Sequence, residues 1–295
     1  MSYFLPRLFR LLSLLPLDAL HRLGALLGWL AYLLSGTYRQ HLQTNLQRGL
    51  GTVSGAIRRG AIAAAGEQVL ELPKIWLRPL DEVAGRVARV SGWEHVEAAW
   101  ANNEGIVFLT PHLGCFEITA QYYAARCPIE RPITVLYRQP KQAWLGELIE
   151  AGRQRSERLL LAPADLSGVR RLIGGLRKHQ AVGLLPDQVP GVGEGRWLPF
   201  FGQPAYTMTL AARLSEVSSS VVIFAWAERL PFGAGYHLHL SSPTQPLTGD
   251  TLERAAAINR ELEHLIRQCP AQYLWGYNRY KRPRGAEPPP APPAA

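Results

Sequence analysis

Cysteine is scarce in this chain. There are three, Cys115, Cys127 and Cys269, widely spaced and with no C-x-x-C pair. An odd, scattered set excludes a disulfide framework and offers no zinc-finger spacing, so small buried hydrophobes in a reducing compartment are expected. Acidic residues are short as well: 23 Asp and Glu face 32 Lys and Arg, a formal net charge of +9. That deficit points to acidic partners, and charge alone admits nucleic acid, anionic lipid or an acidic protein. The sequence has no helix-turn-helix, zinc or RNA-binding signature, no G-x-x-x-x-G-K-[ST] loop, no metal-ligand cluster and no internal repeat. Nucleic acid is therefore not an expected partner, and no metal or organic cofactor is expected.

A clean membrane-spanning run is also lacking. The longest uncharged stretch of the N-terminal segment, Leu23 to Tyr38, has its apolar heart at Leu23–Leu34, short of the roughly 20 apolar residues a spanning helix needs. Upstream lie Pro16, Asp18, His21 and Arg22. A signal peptide fits poorly, because Arg7, Arg10 and Arg22 stud the apolar segment instead of preceding it. Leu8, Phe9, Leu11, Leu12 and Leu15 beside those arginines predict two amphipathic helices, apolar face in the acyl layer and arginines on phosphates. A single shallow transmembrane pass and a helical hairpin covering a globular core are the alternatives.

What is present is globular. Hydrophobic residues make up 47% and charged residues 19%, a balance that supports a buried core and rules out a disordered chain. Residues 38–50 and 54–77 read as helices. From residue 86 onward, short apolar runs alternate with helical patterns. Strands are predicted at Ile106–Thr110, Ile133–Tyr137, Leu159–Leu161, Val182–Leu185, Val221–Ala225 and His237–Leu240, with a short strand or turn near Val87–Val90. Helices are predicted at Ile118–Arg126, Ala143–Arg155, Leu166–Lys178, Met208–Glu216 and Thr251–Gln268. This alternation predicts an α/β fold with a central, largely parallel sheet flanked by helices, preceded by an N-terminal helical membrane-binding segment. The expected organisation is a helical anchoring region over residues 1–85, an α/β core over 86–284 and a disordered, proline-rich tail over 285–295.

The most informative stretch is GIVFLTPHLGCFEI. An apolar strand runs into Thr110-Pro111, His112 follows at once, and Glu117 falls at the start of a helix. Five residues do not stack two side chains on a regular helix. With His112 in the turn and Glu117 in the first helical turn, the two can meet, and Pro111 and Gly114 suit such a turn. A neutral imidazole there could take a proton from a hydroxyl, with Glu117 on its other nitrogen to fix the tautomer. The spacing alone leaves open a strand-end histidine bonded to backbone. Cys115 is a poor nucleophile candidate, since nothing nearby would lower its pKa.

TPHLGCFE resembles the H-x4-D/E box of the lysophospholipid acyltransferase-like superfamily, and more closely the late acyltransferases of lipid A biosynthesis (lauroyl and myristoyl transferases). VSGWEHVEAAWANNEGIVFLTPH, LYRQPKQAWLGELI, LLPDQVPG, GRWLPFFGQPAYTMTLAARLS and QYLWGYNRYKRPRG resemble further segments of that family, in order, across nearly the whole chain. The resemblance implies transfer of a fatty acyl chain from acyl carrier protein, as acyl-carrier co-substrate, to a hydroxyl of an anionic glycolipid, a lipid A precursor of lipopolysaccharide. His112 would be the base and Glu117 its partner, at the cytoplasmic face of the inner membrane. The box departs from the common pattern at Leu113, Cys115 and Phe116, and Gln142 stands where Asn is usual. These departures leave the acyl length and the acceptor open: another lysophospholipid, glycolipid or aminolipid acceptor, or water in a thioester hydrolase, are the alternatives, as is a non-catalytic membrane or carrier-protein binding module.

Arg138, Arg153, Arg170 and Arg171 flank the core and are candidate ligands for an acidic headgroup, with a solvated helix face as the alternative for each. Asp187, after GLLP, is a candidate to orient an acceptor hydroxyl or an arginine, or else a cap. Trp197, Pro199, Phe200 and Phe201 are candidates for an acyl groove or for plain packing. The cluster Arg279, Lys281, Arg282 and Arg284 beside Trp275, Tyr277 and Tyr280 suits a membrane interface or an acidic carrier protein.

Overall fold

The computed structural model describes residues 4–137, 146 and 156–290. Arg138, Arg153 and, apart from Gly146, the predicted helix Ala143–Arg155 lie outside the described residues.

Among the described residues, five helices come first: α1 (Phe4–Leu14), α2 (Leu17–Leu34), α3 (Gly36–Leu50), α4 (Gly55–Leu77) and α5 (Leu80–Ala84). The breaks are written in the sequence. Pro16 separates α1 from α2, and Ser35 and Ser54 cap α3 and α4, their hydroxyls accepting from the backbone N–H of Tyr38 and Ile57. α2 lies against α4 at backbone contact: a Cβ on Gly66 would sit 1.9 Å from the Gly24 carbonyl oxygen. That close approach leaves much of α2 uncovered, and Leu23, Leu26, Leu30, Leu33 and Leu34 are exposed.

The remainder alternates strand and helix: β1 (Val87–Ser91), α6 (Glu94–Ala101), β2 (Gly105–Leu109), α7 (Phe116–Arg126), β3 (Ile133–Tyr137), β4 (Leu159–Pro163), α8 (Leu166–Arg177) and β5 (Ala181–Leu184). Then come β6 (Gly195–Phe200), β7 (Gln203–Met208), α9 (Leu210–Leu214), β8 (Ser220–Arg229), β9 (Tyr236–Ser241) and α10 (Thr251–Gln268). Among the described residues, seven strands form one sheet in the order β1-β9-β8-β2-β5-β3-β4. The pairings are parallel except for β8 with β9, so the predicted α/β architecture with a mostly parallel, helix-flanked sheet is the observed one. β2 shows why its apolar run is unbroken. Val107 and Leu109 enter the core on one face with Leu172 and Leu262, and Ile106 and Phe108 enter the other with Val96 and Ile118.

Two features differ from the sequence reading. The hairpin β6–β7 was not expected. Its turn places Phe201 and Gly202 at φ of 47° and 69°, the double left-handed conformation of a tight two-residue hairpin. The tail is not loose at its start, because Ala286 is buried and the Glu287 carbonyl accepts from Trp197 Nε1 at 3.0 Å.

Candidate active site

β2 and β5 are adjacent and parallel, with Leu109 opposite Leu184. Each strand then continues by the same pattern, Leu109-Thr110-Pro111-His112 and Leu184-Leu185-Pro186-Asp187. Both loops leave the carboxyl edge of the sheet together, at equal offsets from paired residues, and their side chains meet. The Nδ1 of His112 lies 2.7 Å from Asp187 Oδ1, and the His112 backbone N–H donates to Asp187 Oδ2 at 2.9 Å. Asp187 is 1% exposed. Burial pushes its carboxyl up, but the His112 imidazole, the two hydrogen bonds from His112 and the Arg279 guanidinium outweigh that and hold it below the usual carboxylate range. An ionised carboxylate only accepts, so the shared proton sits on Nδ1. Nε2 then carries a lone pair, which accepts from the Gln188 side-chain nitrogen at 3.0 Å.

This arrangement corrects one expectation. Asp187, and not Glu117, occupies the second ring nitrogen of His112. Glu117 begins α7 in the same cleft, and its Oε2 accepts from Trp76 Nε1 at 3.0 Å. Phe116 packs on the His112 ring with centroids 4.7 Å apart.

The turn carrying His112 is fixed on every side. Its carbonyl accepts from the Leu274 N–H at 3.1 Å, and the Gly114 and Cys115 N–H groups donate to the carbonyls of Gln272 and Ala227 at 3.0 and 2.8 Å. Gly114 has φ +59°, and a Cβ there would lie 1.9 Å from the Ala227 oxygen. Beneath the turn, Arg229 donates to Glu71 at 2.9 and 2.5 Å and to the Gly114 carbonyl at 2.8 Å. The Cys115 thiol is wholly buried there. Burial first, and the Glu71 carboxylate next, push it well above its ordinary range, which excludes a thiolate nucleophile.

His112, Glu117 and Gln188 are polar groups in a cleft of about 350 Å³ whose apolar wall includes Leu72, Trp76, Leu136, Val189 and Met208. Leu136, Ala164, Pro190 and Met208 continue into an adjoining groove of about 600 Å³ that also meets Ile173 and Arg213. Arg213 was not singled out in the sequence; as the last-turn base of a five-residue helix it gave no signal.

Other candidates fall elsewhere. Arg170 is exposed on α8, and Arg171 donates to the Leu161 carbonyl at 2.7 Å, so neither faces the cleft. Phe200 and Phe201 are core residues. Arg279 does not face a membrane: it is 3% exposed and donates to the Tyr206 carbonyl and Thr207 Oγ1. Trp275 is buried, and the Tyr277 hydroxyl accepts from the Val189 N–H at 3.0 Å, so the C-terminal segment braces the loop that carries Asp187 and Gln188.

An open α/β sheet, with an apolar cleft at the carboxyl ends of its central strands and a histidine at the bottom, defines an enzyme of the transferase or hydrolase kind acting on apolar substrates. The chain belongs to the bacterial lipid A biosynthesis acyltransferase family, whose sequence model matches residues 3–282, and it is an acyltransferase. It is 28% identical over 278 residues to the lipid A biosynthesis lauroyltransferase of Escherichia coli (strain K12), covering 92% of this chain and 88% of that protein. It is 26% identical to the palmitoleoyltransferase of the same organism over 278 residues, with the same coverage. The myristoyltransferase of that organism is 25% identical over 260 residues, 85% of this chain and 77% of the relative. Three acyl names at nearly equal identity mean that family membership does not select a chain length.

Proposed function

We propose that this chain transfers a fatty acyl group from acyl carrier protein to a hydroxyl of a phosphorylated, anionic lipid A precursor, with His112 as general base. The observation that carries the reading is the Asp187–His112–Gln188 line, which presents the Nε2 lone pair of a neutral, oriented imidazole to an apolar cleft. The acceptor hydroxyl displaces the Gln188 amide and donates to Nε2. As its oxygen bonds to the thioester carbonyl carbon, its proton passes to Nε2, and Asp187 balances the imidazolium. When the tetrahedral intermediate collapses, the C–S bond breaks, and the carrier thiol leaves with the proton from His112. Glu117, beside the same space, holds its carboxylate where the imidazolium and the acceptor meet. The acyl chain lies along the apolar residues of the groove, Leu136, Ile173 and Met208, and the chain's net positive charge favours acidic partners.

The membrane reading rests on α1 and α2. Leu17–Leu34 is long and apolar enough to cross a bilayer by length and composition. It is held flat along α4, with exposed leucines on its outer side and Leu11 and Leu14 exposed on α1. That face supports docking on the inner membrane's cytoplasmic surface, where acyl carrier protein and nascent lipid both have access.

The test is transfer from labelled acyl carrier protein to a lipid A precursor by the wild type, His112→Ala and Glu117→Ala. Transfer lost by about 100-fold or more in His112→Ala matches the loss of a general base. An intact thioester with wild type would sink the donor assignment. Thioester loss with no acylated lipid would make the chain a hydrolase.

A further inference from the structure

A second cluster of side chains lies apart from the cleft. The antiparallel pairing of β8 with β9 puts Glu228 opposite His237 and Trp226 opposite His239. Residues two apart on a strand share a face, so both imidazoles and the carboxylate project from one side of the sheet. One ligating atom from each of Glu228, His237 and His239 lies within 4.8 Å of the other two. His239 Nε2 is 3.4 Å from Glu228 Oε2, and the two imidazole centroids are 3.9 Å apart. A 3.4 Å separation is the edge of a tetrahedron with metal–ligand bonds of about 2.1 Å.

We propose that Glu228, His237 and His239 bind a zinc ion. Two further contacts support a ligand set over a chance cluster. His237 Nε2 is 2.8 Å from Ser91 Oγ on β1. With Nε2 donating to that hydroxyl, the proposed site takes the Nδ1 lone pair as its ligand, the outer support that metal-bound histidines use. The His239 ring is stacked on Trp226 with centroids 4.2 Å apart and planes within 9°, which locks its orientation before any ion arrives. Two nitrogens and one carboxylate oxygen suit zinc or its neighbours better than calcium or magnesium. Arg89 is in register with His237 but exposed, so water screens its charge. The three ligands are partly exposed, which gives an entry path and leaves a fourth position for water. Glu228 lies between Ala227 and Arg229, the two residues that hold the Cys115 N–H and the Gly114 carbonyl, so an ion here ties β9 to the strand under the catalytic turn.

The test uses untagged full-length chain in detergent, freed of metal with a chelator. Co2+ is titrated and followed by its visible absorption, then displaced with Zn2+, and Zn2+ binding is measured by calorimetry. One equivalent per chain is expected. Removing one ligand, in His237→Ala or His239→Ala, should weaken binding by more than about 100-fold, since loss of an outer partner alone costs 10–100-fold. Ser91→Ala should weaken it less. Glu228→Gln, nearly isosteric, serves if a histidine variant fails to fold, and His112→Ala should bind as the wild type does. Zn2+ should also raise the melting temperature of the wild type but not of Glu228→Gln. No stoichiometric binding by the wild type, or binding unchanged in the His237→Ala and His239→Ala chains, would overturn the proposal.

Discussion

Arg229 grips Glu71 with two nitrogens and passes one of them on to the Gly114 carbonyl, so a buried ion pair from α4 and β8 ends directly under the turn that carries His112. Glu71 also accepts from the Tyr236 hydroxyl at 3.0 Å. Burial alone would raise the Glu71 carboxyl, but Arg229 and His21 outweigh it and hold the group at about 2. A folded-state value below the unfolded one adds stability that is present above the unfolded pKa and is lost as pH falls through the folded value. Wild-type stability should therefore drop between about pH 4.3 and pH 2, starting from the usual glutamate pKa. Glu71→Gln leaves Arg229 buried without its counter-charge and should cost about 3–5 kcal/mol at neutral pH. Its stability should also be flatter over that acid window. Thermal unfolding of both chains in detergent, at pH 7 and at steps below 5, reads the difference. An equally steep acid loss in Glu71→Gln would assign it to other carboxylates.

Gly114→Ala tests the turn itself. The new Cβ would meet the Ala227 oxygen, in a left-handed conformation that alanine disfavours. Because the same backbone hydrogen-bonds to β8 and to Gln272, relief requires moving His112 off Asp187. Activity should fall by about 10²-fold, the scale of a 1 Å misplacement, with a smaller effect on the melting temperature. Full activity in a folded Gly114→Ala chain would contradict the described packing.

The central strands β2, β3 and β5 were legible because buried parallel strands read as unbroken apolar runs bounded by turns; β3 (Ile133–Tyr137) and α10 (Thr251–Gln268) have the bounds the pattern predicts. His112 was legible for the same reason, standing just past such a run. Its partner was not. Glu117 is favoured by its place in the helix after the turn and by the H-x4-D/E pattern, whereas Asp187 is 75 residues away and is brought in by strand pairing. The signal was there in the repeated Leu-x-Pro-x ending of two apolar strands, but its meaning depends on β2 and β5 being neighbours. Arg279 failed in the opposite way. A basic residue in a basic, aromatic segment looks like surface, whereas the carbonyl of Tyr206, the hydroxyl of Thr207, the Phe200 ring and the nearby Asp187 charge accommodate its burial. His237 and His239 alternate along β9 but were not singled out in the sequence, and Glu228 joins them only through the β8–β9 register.

The leucines of α1 and α2 make a prediction about membranes. Leu26, Leu30 and Leu33 are exposed by 67%, 53% and 62%, and removing them costs no core packing. Replacing the three with Ser should leave the melting temperature in detergent within about 1–2 °C, since exposed substitutions usually stay within ±0.5 kcal/mol. Sedimentation with vesicles containing anionic lipid should fall by 10-fold or more, as apolar area leaves the acyl layer. If the triple variant binds vesicles as the wild type does, the membrane contact lies elsewhere on the chain.

Asp187→Asn separates orientation from chemistry at His112. The amide is nearly the shape of the carboxylate and can keep the bond from the His112 backbone N–H, so the loop should stay in place. What changes is the ring. An amide nitrogen turned toward Nδ1 would donate to it, which moves the proton to Nε2 and removes the lone pair the acceptor hydroxyl needs. The negative charge that balances the imidazolium is lost as well. Rates of acyl transfer should fall by about 10²–10⁴-fold, the upper end being the loss seen when a carboxylate partner of a catalytic histidine becomes an amide. The loss should appear in kcat with KM for the acyl carrier thioester changed little, because Asp187 is buried and does not line the cleft. Nitrogen-resolved NMR of selectively labelled histidine would show the tautomer directly, with Nδ1 protonated in the wild type and Nε2 protonated in the variant. A variant that keeps the wild-type tautomer and still loses activity would mean that Asp187 acts through charge alone; one that keeps both would leave His112 without need of a carboxylate at Nδ1.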